Sequence, residues 1–68
     1  MSNITISGYR KMLNLTQADV AEKFGISRQA YYLKEKGKIS FSDNEKLIFK
    51  QMLLPIFPDI TIDLIFFS

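Results

Sequence analysis

Apolar and polar residues recur at helical spacing through the middle of the chain, in two short segments separated by a glycine. Thr16 and Ser27 each stand at the start of a segment, and both residue types are preferred at a helix N-cap. Gly25 lies between the segments, and glycine most readily adopts the left-handed conformation that ends a helix. Because only residues 25–27 separate the two helices, they must meet at a steep angle. The pattern predicts a helix-turn-helix over about residues 16–36.

Helices are also predicted on both sides of this unit. Before it, apolar residues at a spacing of three to four predict a first helix with an inward stripe: Ile6, Tyr9 and Leu13. This helix starts at Ser2 or Thr5 and ends at Asn14, since asparagine is second only to glycine as a left-handed cap. After the unit, Ser42 and Glu45 form a capping box that opens a fourth helix. The buried face of that helix is predicted to consist of Leu47, Ile48, Met52 and Leu53.

The C-terminal segment, about residues 60–67, is predicted to be an association surface. Thr61 can cap a last short helix that extends through Phe66, although the apolar alternation over 60–66 is equally compatible with a strand. One short helix cannot turn all of its large apolar residues inward, and those left outside would form the kind of patch that marks an interface. The predicted surface consists of Ile62, Leu64, Ile65, Phe66 and Phe67. The alternative is that the phenylalanines simply cover a small core.

Several residues in register resemble the Cro/CI class of temperate phage regulators, the broad XRE-like helix-turn-helix family. They are Arg10, Thr16, Gln17, Ala21, Gly25, Ile26, Ser27, Glu35 and Gly37. The likeness covers about residues 3–66 and implies an all-α fold, a compact five-helix repressor-like domain in which the helix-turn-helix is central. The resemblance also implies an ion pair between Arg10 and Glu35. We expect one domain over residues 1–68.

Two positions depart from the family pattern. Tyr31 stands where an isoleucine or valine usually packs inward, and Lys34 stands where an apolar residue is usual. We expect Tyr31 to bury its ring and lift its hydroxyl to the surface. We expect Lys34 to lay its methylenes on the core and keep its ammonium in water.

The composition excludes several classes of site. The chain of 68 residues has no cysteine and no histidine, which removes disulfides and argues against a structural zinc site. No paired carboxylates with supporting context and no glycine-rich phosphate loop are present, so we expect no catalytic residues, no metal and no cofactor. The apolar C-terminal stretch is short and interrupted by Asp59 and Asp63, so no membrane association is expected. The expected location is the cytoplasm of a bacterial host cell.

Basic residues concentrate where the second helix of the unit ends. The net charge is +2, but residues 28–38 hold four bases and one acid. This is the electrostatic footprint of phosphate contact, although a solvated helix face is the plainer interpretation. The predicted phosphate contacts are Gln17, Lys36 and Lys38. The predicted base contacts, at outward positions of a helix lying in the major groove, are Ser27, Arg28, Gln29, Tyr32 and Leu33.

Two functions fit these features. The first is a sequence-specific DNA-binding transcriptional regulator of the Cro/CI repressor type, which would bind double-stranded operator DNA as a homodimer. The second is a modulator of repression, which would act as a heteromer with a CI-type repressor. Tyr32 and Leu33 are poor base readers and the C-terminus is unusually apolar, which keeps the second function open.

Overall fold

Every helix in the described part of the chain begins at a threonine or serine whose side chain caps it. The computed structural model describes residues 4–67, and over that range it contains five helices: α1 (Ile6–Met12), α2 (Gln17–Phe24), α3 (Arg28–Glu35), α4 (Asp43–Leu53) and α5 (Ile62–Phe66). The caps are Thr5, Thr16, Ser27, Ser42 and Thr61. Each cap oxygen accepts a hydrogen bond from the backbone N–H three residues later. These predicted starts are confirmed, and Ser2, the other start predicted for α1, lies outside the described residues.

Left-handed residues end the first three helices. Asn14, Gly25 and Gly37 have φ angles of 59°, 72° and 83°. At Gly25 the chain makes a Schellman turn, in which the N–H of Ile26 donates to the carbonyl of Ala21 at 3.0 Å. The turn reverses the chain within three residues and brings α3 across α2, so the predicted helix-turn-helix is confirmed.

An aromatic cluster forms the centre of the core. The ring of Phe24 on α2 meets those of Tyr31, Phe41 and Phe49 edge to face, with centroids 5.9, 6.2 and 6.4 Å apart. Phe66 of α5 contacts Phe41 and Phe49 at 5.1 and 5.9 Å. Such tilted aromatic pairs add about 0.5–1.5 kcal/mol each beyond the area that they bury. The cluster therefore joins α2, α3, α4 and α5 around one core.

The predicted buried face of α4 is wrong at one position. Leu53 is buried and Ile48 and Met52 pack partly buried against the core, as expected, but Leu47 is 49% exposed. The residue that the prediction missed is Phe49, which is fully buried like Leu53. Two residues along a helix correspond to about 200° of rotation, so Leu47 lies on the opposite side from Phe49.

The C-terminal segment is helical, and the strand alternative is wrong. The Thr61 hydroxyl accepts from the N–H of Leu64 at 3.2 Å, and the N–H of Ile65 donates to the Thr61 carbonyl at 3.2 Å. Both Ile60 and Ile65 belong to the buried core. Within residues 4–67, no helix is long and apolar enough to span a membrane.

Candidate nucleic-acid interface

The N-terminal half of α3 presents polar side chains to solvent. Its first turn is fixed by Ser27, whose Oγ accepts from the N–H of Ala30 at 3.1 Å. Arg28 and Gln29 follow at once and are exposed, and Tyr32 one turn further is 41% exposed. These last three line one shallow depression of about 210 Å³. The structure therefore brings three of the five predicted base-contact residues together on one accessible face.

The other two predicted base contacts differ from this group. Ser27 is exposed, but its hydroxyl is already engaged as the N-cap of α3. Leu33 is half-buried, and it is absent from the partly buried apolar residues that pack on the core.

The predicted phosphate contacts lie at helix ends. Lys36 and Lys38 are exposed just after α3, where Gly37 turns the chain and the N–H of Lys38 donates to the carbonyl of Leu33 at 2.9 Å. The Lys36 ammonium lies 5.6 Å from the centre of the Tyr32 ring, in a cation–π contact. Gln17, the first residue of α2, is half-buried, and its Nε2 donates to Glu35 Oε1 at 3.0 Å. This bond uses one of the two amide hydrogens of Gln17.

Four side-chain hydrogen bonds converge on the Glu35 carboxylate at the end of α3. Arg10 of α1 donates through Nε to Oε2 at 2.8 Å and through Nη2 to Oε1 at 3.3 Å, so the predicted ion pair is present. Gln17 supplies a third bond and Tyr31 a fourth. Burial by itself would raise the pKa of Glu35, but the bonds from Arg10, Tyr31 and Gln17 outweigh burial and lower it. The carboxylate thus stays charged and ties α1, α2 and α3 together.

Tyr31 does not lift its hydroxyl to the surface as predicted. The residue is 0% exposed, and its hydroxyl donates to Glu35 Oε2 at 2.6 Å. Burial, together with this bond to an anion, raises the pKa of Tyr31 well above its ordinary value. The Tyr31 hydroxyl therefore has a hydrogen-bond acceptor inside the fold, the carboxylate of Glu35, and does not need to reach solvent.

Lys34 also differs from its prediction, because its ammonium is not left in water. Lys34 Nζ donates to Glu45 Oε1 at 2.6 Å, and the two side chains are only 13% and 8% exposed. The N–H of Ser42 donates to the same oxygen at 2.9 Å. Burial raises the pKa of Glu45, but the bonds from Lys34 and Ser42 more than offset this and lower it. A lysine at an apolar position is thus matched by a buried acid on the next helix.

Sequence reasoning assigned Glu45 only to a capping box and missed this second role. The capping box is present, since the N–H of Glu45 donates to Ser42 Oγ at 3.1 Å. The available signal was Lys34 itself, because a cation at a core position needs a buried anion. Sequence spacing did not identify which acid would supply the anion.

The predicted association surface divides into exposed and buried parts. Leu64 and Phe67 are 53% and 64% exposed, whereas Ile65 is 4% exposed and belongs to the core. The prediction that Ile65 contributes to a surface is therefore wrong, because helical geometry turns it inward between its neighbours. Ile62 and Phe66 are half-buried. The ammonium of Lys46 lies 4.6 Å from the centre of the Phe67 ring.

Comparisons with known proteins place the chain in a family. A family model described as helix-turn-helix matches residues 6–44, more than half of the chain. The chain belongs to the XRE-like helix-turn-helix family.

The chain also resembles an uncharacterized HTH-type transcriptional regulator of Methanocaldococcus jannaschii, with 50% identity over 42 residues. The aligned region is 62% of this chain and 61% of that protein, so the chain spans less than two thirds of the relative's length. No solved structure matches the chain significantly.

Proposed function

We propose that this protein is a sequence-specific DNA-binding transcriptional regulator of the Cro/CI repressor type that reads operator DNA through α3. The observation that carries the proposal is the exposed face formed by Arg28, Gln29 and Tyr32 on a helix that projects from a three-residue turn. Arginine can bond both major-groove acceptors of guanine, and glutamine can bond the acceptor and donor of adenine. Membership of the helix-turn-helix family and the likeness to the HTH-type transcriptional regulator of Methanocaldococcus jannaschii support this assignment.

Phosphate contacts would hold α3 in the groove. Lys36 and Lys38 would contact the backbone beyond the end of α3, and Gln17 would offer its second amide hydrogen and the N-terminus of α2 to a phosphate. Leu33 would contact a thymine methyl and Ser27 would lie against the backbone or a base edge. DNA binding of this kind requires no catalytic group. We propose that the protein acts in the cytoplasm of a bacterial host.

Dimerisation would extend the site over a pseudo-palindromic operator. Leu64 and Phe67 are the exposed apolar residues of the C-terminal segment, and Ile62 and Phe66 flank them half-buried. A homodimer through this surface would present two copies of α3 to successive turns of the major groove.

A modulator of repression is the second candidate. The exposure of Tyr32, Leu64 and Phe67 supports it, because aromatic and aliphatic side chains are typical of protein interfaces. In that case the chain would bind a CI-type repressor and change the occupancy of the repressor's operator.

One titration separates the two candidates. A duplex selected by the protein from a random-sequence library is compared with a scrambled duplex by fluorescence anisotropy between about 50 and 200 mM salt, the range in which phosphate-dependent affinity changes strongly. The regulator should prefer the selected duplex and lose affinity with a log–log slope of about −3.6, if two lysines in each of two protomers neutralise four phosphates. Absence of DNA binding by the chain alone, together with an altered gel shift of a co-encoded CI-type repressor, would establish the modulator instead.

A further inference from the structure

Few apolar contacts hold α3 on the core. Tyr31 is the one residue of this helix that is buried, whereas α2 buries Val20, Ala21 and Phe24. A surface helix usually packs through three or four apolar side chains in two turns. The orientation of α3 therefore depends to an unusual degree on polar contacts.

Two ion pairs hold the C-terminal end of α3 in different directions. Glu35 pairs with Arg10 on α1, and the adjacent Lys34 pairs with Glu45 on α4. Successive residues of an α-helix are about 100° apart around its axis. Two pairs leaving the helix at such an angle restrict its rotation as well as its tilt.

The anion that holds Lys34 is itself fixed in place. Glu45 lies in the first turn of α4, where its backbone N–H donates to Ser42 Oγ and its Oε1 accepts from the N–H of Ser42. The Lys34 ammonium therefore meets a carboxylate that cannot follow it if α3 turns. Because the Lys34 side chain is 13% exposed and paired, its ammonium is not displayed as a phosphate contact.

We propose that the Lys34–Glu45 pair positions α3 for DNA readout, setting the rotation at which Arg28, Gln29 and Tyr32 face the bases. Lys34 and Glu45 are positioning residues that do not touch DNA. The inference rests on the proposed function and extends it, since it assigns sequence discrimination in part to a contact on the far side of the helix. Loss of the pair should leave general phosphate attraction intact and reduce discrimination.

The test uses a double variant that removes the pair without leaving a buried charge. Lys34→Met keeps an unbranched side chain, and Glu45→Gln keeps an oxygen that can accept from the N–H of Ser42. The double variant contains both changes and serves as the main comparison, because Lys34→Met alone leaves a buried carboxylate without its cation. Lys11→Met is the control for the loss of one positive charge, since Lys11 is exposed on α1. The double variant keeps the net charge of the wild type, so a change of overall charge cannot explain its effect.

Binding is measured to a duplex selected from a random library and to poly(dI-dC), at a temperature where circular dichroism shows every variant folded. The ratio of the two affinities should fall by on the order of tenfold in the double variant, the size of one lost base contact. In Lys11→Met both affinities should fall together and the ratio should stay constant. An unchanged ratio in the folded double variant would overturn the proposal.

A second measurement does not depend on DNA. Amide chemical shifts and hydrogen exchange of residues 28–33 are recorded for the double variant and for Lys11→Met. Exchange in this segment should accelerate several-fold in the double variant alone, as expected when a local contact is lost. If neither the wild type nor any variant binds DNA, the proposed function fails. The exchange measurement then still shows whether the Lys34–Glu45 pair fixes the orientation of α3. If the double variant shows the same exchange rates and chemical shifts as Lys11→Met, the pair does not position α3.

Discussion

The hydroxyl of Tyr31 donates to the carboxylate of Glu35 at 2.6 Å, across one turn of α3. Arg10 and Gln17 donate to the same carboxylate, so a single anion connects the helix-turn-helix to α1. The phenol adds a polar bond beneath α3 that an aliphatic side chain cannot make.

Tyr31→Phe should therefore destabilise the fold. The change removes only the hydroxyl, and a hydrogen bond to a charged acceptor contributes about 1.5–3 kcal/mol. We expect a loss near the lower end, because Arg10 and Gln17 still satisfy Glu35. Urea unfolding gives the free energy directly. Tyr32→Phe, on an exposed tyrosine of the same helix, is the matched control and should change stability by less than about 0.5 kcal/mol. Equal effects of the two substitutions would show that the buried hydroxyl contributes nothing.

Arg10 and Glu35 should behave as a coupled pair. Their side chains are 11% and 9% exposed, so removal of one partner leaves a charge that water reaches poorly. A double-mutant cycle with Arg10→Met and Glu35→Gln should give a coupling free energy on the order of 1 kcal/mol or more. The control cycle uses the exposed residues Lys11 and Glu22. Additive effects of Arg10→Met and Glu35→Gln on the free energy of unfolding would exclude a structural role for the pair.

Stability should fall in acid because two buried carboxylates must then be protonated. In the folded chain the pKa of Glu35 and that of Glu45 are both lowered, mainly by hydrogen bonds that overcome burial. A group whose folded pKa is lowered contributes its full stabilisation above the unfolded pKa, about 4.3 for glutamate. The stabilisation is lost as the pH falls from there through the lowered folded pKa.

Urea midpoints measured between pH 7 and pH 2 test this prediction. Wild-type stability should decline below about pH 4.3, and the decline should be shallower in the variant Glu35→Gln/Glu45→Gln. The neutral-pH stability of that variant will be lower, so the comparison concerns the slope. If the urea midpoint of the variant falls as steeply with decreasing pH as that of the wild type, other carboxylates cause the acid sensitivity.

Arg28 and Lys38 should contribute differently to DNA binding. Arg28→Ala should cost about 1–3 kcal/mol on a selected duplex and relax the preference at one base pair, because in the proposed complex Arg28 would contact a base edge. Lys38→Ala should weaken all duplexes alike and make the salt slope less negative by about 1 per site. Anisotropy titrations of selected and scrambled duplexes measure both effects. If Arg28→Ala lowers both affinities by the same factor, Arg28 is a phosphate contact only.

The exposed part of the C-terminal segment should govern self-association. Leu64→Glu and Phe67→Ser place polar groups at positions that are 53% and 64% exposed, so they should dissociate a dimer without unfolding the domain. Sedimentation equilibrium at micromolar concentration gives the mass. Leu47→Glu is the matched control, since Leu47 is 49% exposed on α4, outside this segment. If the wild type and all variants are monomers, both alone and with a CI-type repressor, the C-terminal segment is not an association surface.

The sequence alone determined where most helices begin and end. A serine or threonine cap and a left-handed residue act through backbone groups a few positions away, so their effect is encoded locally. This is why the caps Thr16 and Ser27 and the turn at Gly25 could be identified without coordinates. The helix-turn-helix follows from these local signals and the short segment between them.

Only the tertiary structure decided which residues at the edges of the apolar faces are buried, and that Lys34 meets Glu45. Leu47 and Ile65 are as apolar as their neighbours, and the packing of α4 and α5 on the aromatic cluster placed the first outside and the second inside. Lys34 and Glu45 are 11 residues apart, and their contact depends on how α3 crosses α4. Burial and pairing are properties of the packed helices, because an ammonium leaves water only where the fold supplies a fixed anion.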